Sequence, residues 1–171
     1  RERILWERRP EDTDFGAFRL GLGRIPSPVS IRTPDPDLDS DLLDRAFALA
    51  DNYRFLEAAP AVTALGTRWS LGVAGARAQS LAAARAFICN LALTHAPHDL
   101  HIHLIAPGAF HDDWRWLEWL PHTSQSHRGG SADLVAFDTD NARNLLGNLS
   151  QVIDERKAQG SRIPHLLLIV D

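Results

Sequence analysis

The sequence contains no methionine and only one cysteine. A lone thiol, Cys89, cannot form a disulfide within the chain, and in an apolar run it suits a reducing compartment. Lysine is almost as scarce: of 18 basic side chains only Lys157 is a lysine. Chemistry that demands a primary amine therefore has a single candidate, and it falls inside the last expected helix. The 18 basic and 22 acidic side chains leave a formal net charge of −4, so there is no bulk positive field to hold nucleic acid by counterion release. Apolar runs are short as well. None approaches the roughly 18–20 residues of a membrane-spanning helix, and no signal peptide is visible, so a membrane connection would have to be made outside this chain. The absent initiator methionine, and an apolar run that stops at Asp171, lead us to expect a piece of a longer protein.

What is present fits an ordinary soluble globular chain. Its 171 residues are 44% hydrophobic and 23% charged, enough for one domain or slightly more with a sizeable core. The first nine residues mix arginine and glutamate around Ile4, Leu5 and Trp6 and read as the exit of an upstream helix or linker. Residues 10–36 are proline-rich, with apolar alternation at Phe18, Leu20 and Leu22 and again at Val29 and Ile31. This predicts two short strands joined by a turn around Gly23 and Pro26. We divide the chain into an N-terminal linker with short strands, residues 1–36, and an α/β domain, residues 37–171, incomplete at its C-terminal end.

Asp35-Pro36-Asp37 supplies capping carboxylates, and Leu38, Leu42, Ala46, Leu49, Tyr53 and Leu56 recur at helical steps. A strand is expected over 68–73, followed by a tight turn and a helix carrying Leu81, Ala84, Ile88, Leu91 and Ala92. Further strands are expected over 100–106 and 134–137, with a short aromatic helix over 112–120 between them. The stretch from Ser124 to Ser131 reads as a mobile loop. A long helix follows, opened by Asp138 or Thr139, and then the continuous apolar run 166–170, which reads as a strand buried on both faces of a parallel sheet. Strands alternating with helices imply a mostly parallel, layered α/β sheet.

The chemistry-bearing segment lies between the expected strand at 68–73 and the helix after it. A P-loop holds phosphates at such a turn with backbone N–H groups, a helix N-terminus and a lysine. Aligning Gly72 with the first glycine of that pattern puts Arg77 at the second glycine, Ala78 at the lysine and Gln79 at the magnesium-binding Ser or Thr. The charge and the hydroxyl are both missing. Arg77 offers a cation one position early, on a less permissive backbone and in a more rigid form than lysine. Lys157 is too far along the chain to be expected here. The apolar run ending in Asp171 is where P-loop proteins place a carboxylate beside magnesium, at the carboxyl edge of the sheet. Gly72, Gly75, Arg77, Ser80 and Asp171 thus form a candidate but degenerate nucleotide site, set against the simpler reading of a tight strand-to-helix turn.

Three of the five tryptophans, Trp114, Trp116 and Trp119, fall within six residues. They are either core or, since Trp and Arg dominate binding hot spots, a partner interface. A helix this short cannot bury all three on one face, so at least one should meet another element or a partner. His101 and His103 share a strand face at a spacing a transition metal could use, with His95, His98 and His111 nearby. No cysteine is near them, solvent-facing histidines on a sheet explain the same letters, and no metal is expected. Nucleophilic triads are not indicated. Ser80, Ser124 and Ser126 lack the strand-to-helix elbow, and Cys89 is expected to be an inert core thiol.

Several unrelated blocks in order carry a resemblance. They are Leu5-Trp6-Glu7-Arg8-Arg9-Pro10-Glu11-Asp12, then Asp14-Phe15, Arg19-Leu20-Gly21-Leu22-Gly23, the loop from Trp69 to Gly75, Trp116-Leu117-Glu118-Trp119-Leu120-Pro121-His122, and the run from Pro164 to Asp171. Together, over nearly the whole chain, they resemble the membrane-anchored FtsK/SpoIIIE-type ATPases of type VII secretion, the EccC/EssC proteins. The resemblance implies a degenerate P-loop NTPase fold of the RecA/FtsK type. It implies a segment on the cytoplasmic side of the cell membrane, between a transmembrane stalk and tandem motor domains, in a multimer that moves secreted protein. Its implied partners are those motor domains, other subunits and, through the upstream part, the membrane. Carried over by position, Gly72 and Gly75 mark the phosphate loop and Asp171 the magnesium carboxylate, whereas Arg77, Ala78 and Gln79 depart from a working loop. ATP and magnesium are then expected of the parent and no cofactor of this segment. Two alternatives remain beside this non-catalytic coupling role: an ATPase module completed by a neighbouring subunit, and a DNA translocase segment, which the net charge disfavours.

Overall fold

The computed structural model describes residues 5–29, 40–67, 70–125, 132–160 and 164–171. Two sheets carry the fold. A long antiparallel ribbon pairs β1, Ala17–Pro26, with β2, Phe55–Ala64. A parallel sheet is ordered β6–β3–β7, from β3, Leu100–Ile105, β6, Val135–Ala136, and β7, His165–Val170. A minimal pair joins β4, Ser124–Gln125, to β5, Ala132–Asp133.

The helices are α1, Ser40–Asn52, α2, Arg77–Thr94, the single turn α3, His111–Trp114, and α4, Thr139–Gln159. Turns of 3-10 helix, Gly108–Phe110, Arg115–Trp119 and Pro121–Thr123, surround α3. The parallel α/β sheet expected from the alternation of elements is therefore present.

Local chemistry accounts for the sharpest boundaries. Asp138 caps α4, its Oδ1 accepting from the N–H groups of Asp140 at 3.0 Å and Asn141 at 2.9 Å, which satisfies two donors that have no partner within the helix. Gly160 ends α4 at φ 68°, a conformation glycine adopts without a Cβ penalty, and Arg156 and Lys157 in the last turn complement the helix dipole.

The core lies between α2 and one face of the parallel sheet. Leu81, Ile88 and Leu91 of α2 meet Leu100, Ile102 and Leu104 of β3, with Phe18 of β1 and Trp114 and Leu117 closing the cluster. Leu167 and Ile169 of β7 pack against it from the same face, opposite Ile102 and Leu104 in the ladder.

The C-terminal end of α2 is sealed by the N-terminal segment. Trp6 N–H donates to Leu93 O at 3.0 Å, Trp6 Nε1 to Ala92 O at 3.1 Å, and Arg8 N–H to Thr94 O at 3.0 Å. These carbonyls are otherwise orphaned at a helix end. His95 completes the seal from inside. Its Nε2 accepts from Gly16 N–H at 2.8 Å and its Nδ1 donates to Leu91 O at 3.0 Å. His122 Nε2 donates in turn to His95 O at 2.8 Å. Burial holds both imidazoles below their ordinary pKa.

Several expectations change. The turn expected around Gly23 and Pro26 is absent, because β1 runs through Gly23 to Pro26 and its partner is β2, beyond α1. Val29 is in no strand, and Ile31 lies outside the described residues. The helix expected to reach Leu56 stops at Asn52, and Leu56 belongs to β2. Of the strand expected over 68–73, Arg68 and Trp69 lie outside the described residues, and 70–73 have no ladder partner among the described residues. β7 is parallel but only half-buried, because among the described residues it pairs on one side alone. Cys89 is exposed, since the buried stripe of α2 runs through Leu81, Ile88, Leu91 and Ala92. Most of the expected loop, 126–131, lies outside the described residues, and its flanks pair as β4 and β5.

Candidate functional site

Four elements converge where the turn before α2 faces the end of β7. Residues 70–75 lead into α2, with Gly75 at φ 153° and a Cβ position 3.5 Å from Ser80 Oγ. Nothing lies within 4 Å of a Cβ placed on Gly72, so space imposes no glycine there. Ala76 precedes α2 with no side-chain cap, and the first turn holds no acidic residue. The positive end of the helix therefore lacks local compensation, and Arg77 at its first position adds a further positive charge.

The compensation comes from elsewhere in the fold. The Asp171 N–H donates to Ile105 O at 3.1 Å, extending the β7–β3 ladder by one residue. This fixes its carboxylate at the sheet's carboxyl edge. Arg77 Nη1 and Nη2 donate to Asp171 Oδ1 at 3.2 Å and Oδ2 at 2.8 Å. On its other side Arg77 meets Asp113 Oδ2, through Nε at 3.2 Å and Nη2 at 2.9 Å. Its guanidinium carbon lies 3.4 Å from the centre of the Phe110 ring, a cation–π contact. Trp114 Nε1 donates to Asp171 Oδ2 at 2.7 Å, and Arg85 Nη2 donates to Asp113 O at 2.9 Å.

The Arg77 hydrogen bond, followed by that from Trp114, holds the Asp171 carboxyl below its ordinary range. The same bonds to Asp171 and Asp113 raise the Arg77 pKa. Nε, Nη1 and Nη2 of this guanidinium thus each donate to a carboxylate of the chain itself.

Around this cluster opens a cleft of about 1730 Å³, bounded by residues 70–75 and α2 on one side and by α4 and β7 on the other. Gly75, Arg77, Ser80 and Asp171 line it, so the fold brings these residues together. Gly72 sits in the same turn and is not among the lining residues. Asp113 was not singled out in the sequence; an acidic residue ahead of the tryptophan pair was the only hint of it. Lys157, distant in the chain, also lines the cleft. Its Nζ pairs with Asp154 at 3.4 Å on the same helix.

The tryptophans divide. Trp114 is buried, with 2% exposure, and holds Asp171. Trp116 packs partly buried against the core, while Trp119 is 88% exposed. His101 and His103 do share a face of β3, and no group of three or more His, Cys, Asp or Glu among the described residues could hold a metal.

A parallel sheet with a turn and a helix N-terminus opening onto its carboxyl edge defines an α/β protein compatible with a P-loop-like fold. No family model matches the chain. Among individual proteins, it is 32% identical to the ESX-3 secretion system protein EccC3 of Mycobacterium tuberculosis, over 99% of this chain. It is 30% identical to the ESX secretion system protein EccC of Thermomonospora curvata over 96% of the chain, and 24% identical to the ESX secretion system protein YukB of Bacillus subtilis over 97%. The chain is a segment of an EccC-type protein. It spans only 12–13% of the length of these relatives.

Proposed function

We propose that this chain is a non-catalytic, ATPase-like module of an ESX-type secretion motor, and that it couples a membrane anchor to downstream ATPase domains during protein export. The observation that carries this reading is Arg77 bridging Asp113 and Asp171. The two carboxylates that could face magnesium are already neutralised, and the one cation of the turn is already engaged.

The residues as arranged do not fit a magnesium nucleotide. Ala78 and Gln79 stand where the phosphate-binding lysine and the magnesium-binding hydroxyl would be needed. Hydrolysis, ATP and magnesium then belong to the motor domains of the parent protein. The fit to a secretion complex rests on the EccC-type relatives, and the proposed partners are those motor domains and neighbouring subunits on the cytoplasmic side of the membrane.

The test is calorimetric titration of the chain with Mg-ATP. No detectable binding is expected. Binding tighter than about 100 μM, roughly 5.5 kcal/mol, would replace this reading with that of a nucleotide-binding module completed by a neighbouring subunit. One observation favours that second reading: Lys157, the only lysine, lines the same cleft as Arg77.

A further inference from the structure

We propose that Arg156, with His103 beside it, forms an anion-binding site where the last turn of α4 faces β3. Its ligand is an oxyanion, either a carboxylate or a tetrahedral sulfate or phosphate. This goes beyond the reading of a non-catalytic module, because it uses no residue of the turn before α2.

Two unmatched groups carry the argument. Arg156 is partly buried and lines the cleft, yet it makes no hydrogen bond or ion pair among the described residues. By contrast Arg8, Arg9, Arg24, Arg77, Arg85 and Arg143 each meet a carboxylate. The acidic side chains of α4 are engaged elsewhere. Asp140 pairs with Arg143 at 3.0 Å and Asp154 with Lys157 at 3.4 Å, while Glu155 accepts from Gln151 at 2.9 Å. Burial, with no carboxylate to offset it, lowers the Arg156 pKa.

His103 is the second group. It is almost fully buried, and neither ring nitrogen has a partner among the described residues. It lies on the face of β3 turned away from α2, since Ile102 and Leu104 fill the other. Its ladder neighbour is Leu168, which lines the same cleft as Arg156. The two groups are close enough for the charge of Arg156 to act on the imidazole.

An unpaired cation in a half-dry site carries a desolvation cost with no Coulombic return, and a buried ring without a partner carries another. One oxyanion answers both. The guanidinium donates to it as a planar fork, and the neutral imidazole donates its single N–H. The apolar side chains of Ile153 and Leu168 along the cleft strengthen such bonds by keeping the local dielectric low. The dipole of α4 also favours a cation in its last turn, but an arginine in open solvent would serve that purpose and need not line a cleft.

The experiment follows thermal unfolding at neutral pH in millimolar sodium sulfate, phosphate or acetate, against NaCl of matched ionic strength, together with NMR of the His103 ring nitrogens. Wild type should gain at least about 2 °C over NaCl from one or more of these anions, and the His103 ring resonances should shift with it. Arg156→Gln removes an unmatched charge, so it should melt within about 1 °C of wild type in NaCl and lose both the gain and the shift. Arg156→Lys, which keeps the charge without the fork, serves if the glutamine variant does not fold, and it should gain less than wild type. A response to acetate identifies a carboxylate ligand, such as an acidic side chain of a partner. A response confined to sulfate and phosphate identifies a tetrahedral anion, and either result supports the site.

The proposal is overturned if no anion separates wild type from Arg156→Gln, or if the His103 ring does not sense the anion that stabilises. A glutamine variant that melts far below wild type in NaCl would make Arg156 a structural residue and overturn it equally. None of the probes contains nucleotide or magnesium, so the coupling-module reading stands or falls separately on the Mg-ATP titration.

Discussion

At the scale of single residues, His103 is the group whose burial has the clearest consequence. It is only 3% exposed, and neither ring nitrogen has a hydrogen-bond partner among the described residues. Burial, reinforced by the positive charge of Arg156 and by His101, lowers its pKa to about 4. The unfolded chain takes up a proton near the ordinary histidine value while the folded one resists it. The stability linked to His103 is thus complete above about pH 6.5 and is lost as the pH falls toward 4, to a total of roughly 3 kcal/mol. Urea unfolding of wild type and His103→Leu at pH 7 and pH 4 should show the variant escaping most of that loss. His95 and His122, shifted in the same direction, keep some acid sensitivity in both proteins. An equal acid loss in the two proteins would mean that His103 is already solvated. Trp114 offers a second check at this scale. Trp114→Phe keeps an aromatic ring in the core but removes the 2.7 Å bond to Asp171, and should cost about 2 kcal/mol in urea unfolding.

At the scale of elements, α4 states its own boundaries. Asp138→Ala should cost about 1 kcal/mol by removing the N-cap, read as a lower urea midpoint at unchanged slope; no change would mean the helix end is held by packing instead. Cap, amphipathic period and closing glycine all lie within one stretch of chain, which is why this helix was legible in the sequence. β3 and β7 were legible for a related reason, β3 as an alternating stretch and β7 as an unbroken apolar run. The ribbon was not. β1 finds its partner only beyond α1, and pairing across that distance leaves no mark in local periodicity. Leu56 falls in step with the α1 period and was absorbed into it, although the backbone has already turned into β2. The site was half legible. Arg77 and Asp171 follow from their positions after a turn and after a strand, whereas Asp113 reaches them only through α3, and the Lys157 approach depends on how α4 lies beside β7.

At the scale of the whole molecule, the arginines matter more by where they are held than by their number. Arg8 pairs with Asp14, Arg9 with Asp99, Arg24 with Glu57, Arg77 and Arg85 with Asp113, and Arg143 with Asp140. These pairs are spread over the N-terminal segment, the antiparallel ribbon and three helices, so among the described residues positive charge is neutralised locally instead of forming a stripe. The net charge of −4 then repels a phosphate backbone at long range. Trp119, exposed on the far side of the aromatic segment, has Glu118 beside it, which discourages stacking on a polyanion. A basic groove able to track duplex DNA would need several free cations in line, each releasing a counterion and each steepening the fall of log K with log salt by about 0.9. We expect fluorescence anisotropy with a labelled duplex to show no saturable binding at physiological salt, and only weak binding when salt is lowered. Saturable binding with a steep salt slope would mean that some of these ion pairs open to receive phosphate. A DNA-translocating role would then take the place of protein export in the reading of this chain.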